Sequence, residues 1–239
     1  MIQSAHSTPI SPTTRPPPVK QRYFTPSNIQ QEAQAMLESL PGHRQKRAGP
    51  LEPAHPALLV LDMQKYFFEA GSHAFIPSAP AILSGVQRLI EAFSLQNLPI
   101  YFSQHLNTPE DAGMMAAWWR ELIDQDSPLG ELLDELDLAK GTILRKSQYD
   151  AFFQTDLEEQ LRQRGVTQVV ICGVMTHLCC ESTARSAFMR GFGVFFAIDG
   201  TATYNRDFHA ATLLNLSHGM ATPILVEQVL AALQAEYER

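Results

Sequence analysis

Six short apolar runs, separated by amphipathic stretches of helical period, follow one another from residue 57 onward. This alternation constrains the fold more than any other feature of the chain. The runs cover residues 57–61, 100–102, 142–144, 168–172, 193–197 and 222–226. Runs that are apolar at every position, rather than at alternate ones, belong to strands covered on both faces, and intervening helices supply that cover. Helix patterns fall at 79–96, 127–138, 156–164, 179–190, 208–218 and 227–238. Thr155 and Glu158 have the spacing of a capping box, while Gly165, Gly191 and Gly219 stand where helices should stop. The expected architecture is one α/β domain of three layers, a parallel sheet between two layers of helix.

The first 55 residues read differently. Residues 7–18 are rich in Pro, Ser and Thr and end in Pro16, Pro17 and Pro18, the composition of a disordered or extended tail. Ile29, Ala33, Met36 and Leu40 then recur at helical spacing, which predicts a helix packed on the body. Residues 41–56 read as a linker. The chain therefore divides into an N-terminal extension, 1–55, and a main domain, 56–239.

Bulk properties exclude several partners. With 18 Lys plus Arg and a net charge of −7 the chain has no basic stripe, and binding to nucleic acid rests on neutralising phosphates. No stretch approaches the roughly 20 apolar residues of a membrane span, and the N-terminus lacks the apolar core of a secretory signal. Three cysteines, Cys172, Cys179 and Cys180, lie within nine positions and match neither a disulfide framework nor a zinc pattern. Reduced thiols point to a soluble, cytoplasmic protein, with neither nucleic acid nor membrane as partner.

Open parallel sheets bind ligands beyond the carboxyl ends of their strands. The reactive side chains just after an apolar run are Asp62 after the first, Lys146 after the third and Cys179 after the fourth. A thiol must lose its proton to attack a carbonyl, and a nearby cation or a helix start favours that loss. Cys179 begins a helix pattern, Asp62 can take the thiol proton and return it to a leaving group, and Lys146 supplies positive charge. Backbone N–H groups between Gly173 and Cys179 can receive an oxyanion. Each residue also has a structural reading, as turn cap, solvated cation and core thiol, so the pattern alone leaves both open. The segment 104–126, holding Trp118 and Trp119, is long enough for a lid or an interface.

Three motifs in order carry a resemblance. They are Asp62-Met63-Gln64, Lys146 before the aromatic-rich turn Tyr149 to Phe153, and Gly173-Val174-Met175-Thr176-His177-Leu178-Cys179-Cys180. Together they resemble the isochorismatase-like hydrolases, which include nicotinamidases, N-carbamoylsarcosine amidohydrolases and isochorismatases. The resemblance runs from about Pro56 to the C-terminus. It implies a Rossmann-like six-stranded parallel sheet, the triad Asp62, Lys146 and Cys179, and a dimer or tetramer. It also implies a cis peptide at Val174–Met175 that aims two N–H groups, with Cys179, at the oxyanion.

Nicotinamidases carry a metal on an Asp-x-His pattern with a second His, whereas this chain reads Ser103-Gln104-His105-Leu106, so neither metal nor cofactor is expected. True isochorismatases have Gly at the nucleophile position and cleave a vinyl ether by acid catalysis from the Asp. Cys179 therefore favours cleavage of an amide or ureido C–N bond through a thioester. The alternative is hydrolysis of isochorismate to 2,3-dihydroxy-2,3-dihydrobenzoate and pyruvate. A non-catalytic scaffold has no need of three reactive groups so placed, and adjacent cysteines rarely bridge without strain. Phe67, His105, Trp118, Trp119, Tyr149 and His177 are the candidate substrate-binding residues.

Overall fold

The computed structural model describes residues 19–41, 49–52 and 54–234. Six strands, β1 (Pro56–Leu61), β2 (Ile100–His105), β3 (Thr142–Lys146), β4 (Gln168–Val174), β5 (Gly193–Ala202) and β6 (Thr222–Ile224), form one sheet in the order β3-β2-β1-β4-β5-β6. Every neighbouring pair is parallel. β1 and β4 lie at the centre and are buried throughout, which is why they are apolar at every position. At the edge, β3 buries only Leu144 and Lys146. That alternation sends Arg145 to the opposite face, where it pairs with Asp111 at 3.1 Å.

Among the described residues eight α-helical segments accompany the sheet: α1 (Ile29–Ser39), α2 (Lys65–Phe68), α3 (Ala79–Leu95), α4 (Met115–Trp118), α5 (Leu157–Gln163), α6 (Glu181–Met189), α7 (Arg206–Gly219) and α8 (Val226–Gln234). Helix α3 turns Ile82, Val86, Leu89, Ile90 and Phe93 inward at spacings of three and four and is the longest. The Asn205 side chain accepts from Phe208 N–H and caps α7. Gly165 and Gly191 adopt φ of +68° and +83°, the left-handed conformation that ends α5 and α6. Gly219 is the last residue of α7, which closes instead through Met220 and Ala221 N–H groups on Leu216 O.

Two local expectations are corrected. Residues 127–138 form no α-helix, only the 3₁₀ turn Pro128–Gly130, with a second such turn at Leu138–Lys140. Their backbone is committed elsewhere: Leu133 N–H donates to Met63 O, Lys65 N–H to Glu131 O, and Gln64 bridges Leu132. The capping box at Thr155 does not form either. The Thr155 hydroxyl donates to Ala151 O at 2.6 Å, while Glu158 pairs with Arg190 at 2.9 Å.

Residues 19–41 pack on the body through Tyr23, Phe24, Ala33, Met36 and Leu37, all part of the main hydrophobic core. The Tyr23 hydroxyl meets His209 Nδ1 at 2.9 Å and accepts from Thr203 N–H, and Ser78 Oγ accepts from Tyr23 and Phe24 N–H. The tail at 7–18 lies outside the described residues, as do linker residues 42–48 and 53 and the predicted last turn of the final helix beyond Gln234. Among the described residues no helix is long and apolar enough to cross a membrane.

Gly173 faces the β1 backbone across the sheet. Its φ is +110°, and a Cβ there would fall 2.0 Å from Leu61 O, one residue before Asp62. Gly173→Ala is expected to lower unfolding stability by about 2–4 kcal/mol, from overpacking together with backbone strain. An unchanged midpoint in urea denaturation would contradict this.

Candidate active site

Strand order decides which side chains meet. Asp62 follows β1 at φ +50°, a left-handed turn that Asp tolerates better than most residues. Lys146 ends β3, and Cys179 lies in the π-helical turn Thr176–Cys180 between β4 and α6. β2 runs between β3 and β1, with Ser103 in register with Leu61 and His105 in register with Lys146. The site is thus assembled over the carboxyl ends of four adjacent strands.

At its centre is the Lys146 ammonium, buried with Asp62. Nζ lies 2.8 Å from Asp62 Oδ2, 3.4 Å from Cys179 Sγ, 3.2 Å from His105 Nδ1 and 2.9 Å from Gln148 O. The other carboxylate oxygen, Oδ1, accepts from the Ser103 hydroxyl at 2.6 Å, and Ser103 Oγ accepts from Asp62 N–H. Gln64 pins the end of β2: its amide accepts from His105 N–H and donates to His105 O and Gly130 O.

Electrostatics here differ from the sequence expectation of a thiol poised to ionise. Burial pushes the Cys179 thiol well up, and the Asp62 carboxylate adds to that rise. Lys146 works in the other direction without reversing it. Burial opposes the Lys146 charge, but Asp62 and Cys179 outweigh it and hold the ammonium above the usual lysine value. The raised thiol thus sits beside the buried Lys146–Asp62 pair. Cys179 lies inside the π-helical turn, two residues before α6 begins at Glu181, and burial is the largest influence on its thiol.

The Val174–Met175 peptide bond is cis. Met175 and Cys179 line the adjoining pocket, whereas Val174 is buried at the end of β4. Phe67, His105, Trp119 and Tyr149 line the cavity. Trp119 Nε1–H donates to the Tyr149 hydroxyl at 2.8 Å, joining the long connection after β2 to the loop after β3.

Two candidates fall outside the cavity. Trp118 is 75% exposed on the surface of α4, because the turn buries Met115 instead. His177 turns away from Cys179, stacks on Phe208 at 4.3 Å and meets Thr203 Oγ1 at 2.6 Å. Residues missed by sequence reasoning include Tyr66, His73 and Glu121, which form one polar wall: Glu121 Oε1 lies 2.6 Å from His73 Nδ1 and 3.1 Å from the Tyr66 hydroxyl. Tyr204 is a further aromatic lining residue. Lys20 stands 4.7 Å over the Tyr204 ring and donates to His73 O, so the N-terminal extension reaches the rim.

Asp62, His105 and Cys179 bring one potential ligand atom each to within 4.8 Å of one another. Lys146 Nζ contacts all three and supplies the positive charge a metal would bring. His105 Nε2 is bonded to Asn107 Oδ1 at 3.0 Å, so neither imidazole nitrogen is left for an ion. These residues do not fit a metal centre. Activity is expected to survive prolonged chelation; stoichiometric zinc or iron whose removal abolishes turnover would overturn this.

The isochorismatase-domain family model matches residues 56–228. Nicotinamidase 3 of Arabidopsis thaliana is 39% identical over 170 residues, covering 69% of this chain and 82% of that protein. Enterobactin synthase component B of Escherichia coli (strain K12) is 28% identical over 204 residues, covering 84% of this chain and 71% of that one. A cysteine hydrolase from Pseudomonas syringae pv. phaseolicola 1448A superposes with a TM-score of 0.75 at 24% identity, over 79% of this chain and 97% of that structure.

Proposed function

The chain belongs to the isochorismatase family of hydrolases, and from that premise we propose that it cleaves the C–N bond of a small amide or ureide through a thioester on Cys179. The observation that carries the reading is one buried ammonium within 3.4 Å of a thiol and 2.8 Å of a carboxylate, with the thiol lining a pocket.

The chemistry follows from the contacts. Asp62 takes the Cys179 proton as sulfur attacks the carbonyl carbon, and Lys146 stabilises the negative charge shared between sulfur and carboxylate. The carbonyl oxygen, becoming an oxyanion, is received by the Met175 and Cys179 N–H groups. Collapse breaks the C–N bond, and Asp62 passes its proton to the departing amine. Water then attacks the thioester, Asp62 removes its proton, and that proton returns to sulfur as the acid leaves.

Phe67, Trp119, Tyr149 and Tyr204 give the cavity flat apolar walls, suited to a planar acyl group. An aromatic carboxamide such as nicotinamide is therefore the first substrate to try, which accords with the nicotinamidase relative. Isochorismate is the discriminating comparison, since a thiol has no part in protonating an enol ether. Ammonia or amine release, with a thioester adduct on intact protein, supports the amide reading. Pyruvate release that persists in Cys179→Ala refutes it.

A further inference from the structure

We propose that His105 and Asn107 are positioning residues that extend the triad, keeping Lys146 aimed at Asp62 and Cys179 through a neutral imidazole of fixed tautomer. The proposal rests on the triad reading above and deepens it. His105 Nδ1 lies 3.2 Å from Lys146 Nζ. An ammonium only donates, so Nδ1 must present its lone pair and the imidazole proton must sit on Nε2. There it donates to Asn107 Oδ1 at 3.0 Å, and Asn107 in turn donates to Ser147 O at 2.8 Å, which sets the amide's orientation. The chain runs from the backbone of the loop after β3, through Asn107 and His105, to the ammonium.

Ser103, His105 and Asn107 stand two residues apart. The first two share one face of β2 and brace the two halves of the ion pair, Ser103 on Asp62 and His105 on Lys146. The charged and titratable groups near His105 are Lys146 on β3, Asp62 after β1, Cys179 in the π-turn and Asp111 in the loop beyond Asn107. Burial, with Lys146, lowers His105 to about 4, so it stays a neutral acceptor through the working range. Asn at 107 preserves that state. A carboxylate there would stabilise the imidazolium, whose Nδ1–H would then oppose the ammonium.

The test uses the full-length enzyme and two readouts, turnover of its best amide substrate and the rate of Cys179 carbamidomethylation by iodoacetamide, each from pH 5 to 9. His105→Leu should lower kcat about a hundredfold with KM within about threefold, as expected when an interaction acts on the reacting groups. His105→Asn, which places an amide oxygen near the Nδ1 position, should recover most of that loss. Asn107→Asp should introduce an acid limb between pH 5 and 7 in both readouts, costing about tenfold per pH unit below it. A parent-like pH profile in Asn107→Asp, or equal losses in His105→Asn and His105→Leu, would overturn the proposal. Should Cys179→Ala remain active, the triad reading itself fails, whichever way the His105 variants behave.

Discussion

Cys179→Ala is expected to reduce amide hydrolysis by about a thousandfold or more while the protein stays folded. The substitution removes the atom that would carry the acyl group, so no other contact can compensate. Its cost to stability is small, because the lost sulfur faces the pocket rather than the packed core. Cys180→Ala is the control. Cys180 is fully buried at the start of α6 and does not line the cavity, so turnover should stay within a few-fold of the parent. Cys179 should react with iodoacetamide slowly at neutral pH and faster as pH rises, since burial keeps its thiol protonated. Peptide mapping decides the assignment: label on Cys180 with Cys179 untouched would sink it.

The fold was legible because the central strands are buried on both faces, which leaves runs such as 57–61 and 168–172 apolar at every position. β3 carries the weakest apolar signal of the sheet's long strands. As an edge strand it exposes Thr142, Ile143 and Arg145, and its last buried residue is a lysine. The pattern at 127–138 misled because helical spacing says nothing of backbone groups claimed by a neighbour, here the segment after β1. The three reactive residues were legible from a rule about strand ends. Ser103 was not, and His105 read only as a pocket residue, because their contacts with Asp62 and Lys146 depend on β2 lying between β3 and β1 in space, an order that no local pattern encodes.

The polar wall was hidden for a related reason. Tyr66 on α2, His73 beyond it and Glu121 after α4 meet only when the connection following β2 folds back over the pocket. His177 shows the converse. Two residues before Cys179, it reads as a ligand-facing group, yet the π-turn points it at Thr203 and Phe208. Sequence distance from a reactive residue is a poor guide to side-chain direction inside a wound turn.

Lys146→Met should be the most damaging change after loss of the thiol, and it should act on both rate and stability. The ammonium and the Asp62 carboxylate are wholly buried together, so removing one leaves the other without its counter-charge. Breaking such a pair typically costs about 3–5 kcal/mol of folding stability. The kinetic loss has a separate origin. Lys146 is the group that lowers the Cys179 thiol against burial and Asp62, so its removal lets the thiol rise further. Each additional unit lowers the thiolate fraction about tenfold at neutral pH, and kcat should fall by about a hundredfold with KM little altered. Raising the assay from pH 7 to 9 should speed parent and variant alike, since burial keeps the thiol protonated in both, and the ratio between them should change little. Lys146 titrates above the usual lysine value of 10.5, so its contribution in the parent is present throughout this range and fades only at higher pH. Arg145→Met is the matched control, one residue away on the other face with a partly exposed partner, and should leave kcat within about twofold. If Arg145→Met proves the harmful change and Lys146→Met is mild, Lys146 is not the residue that governs the thiol.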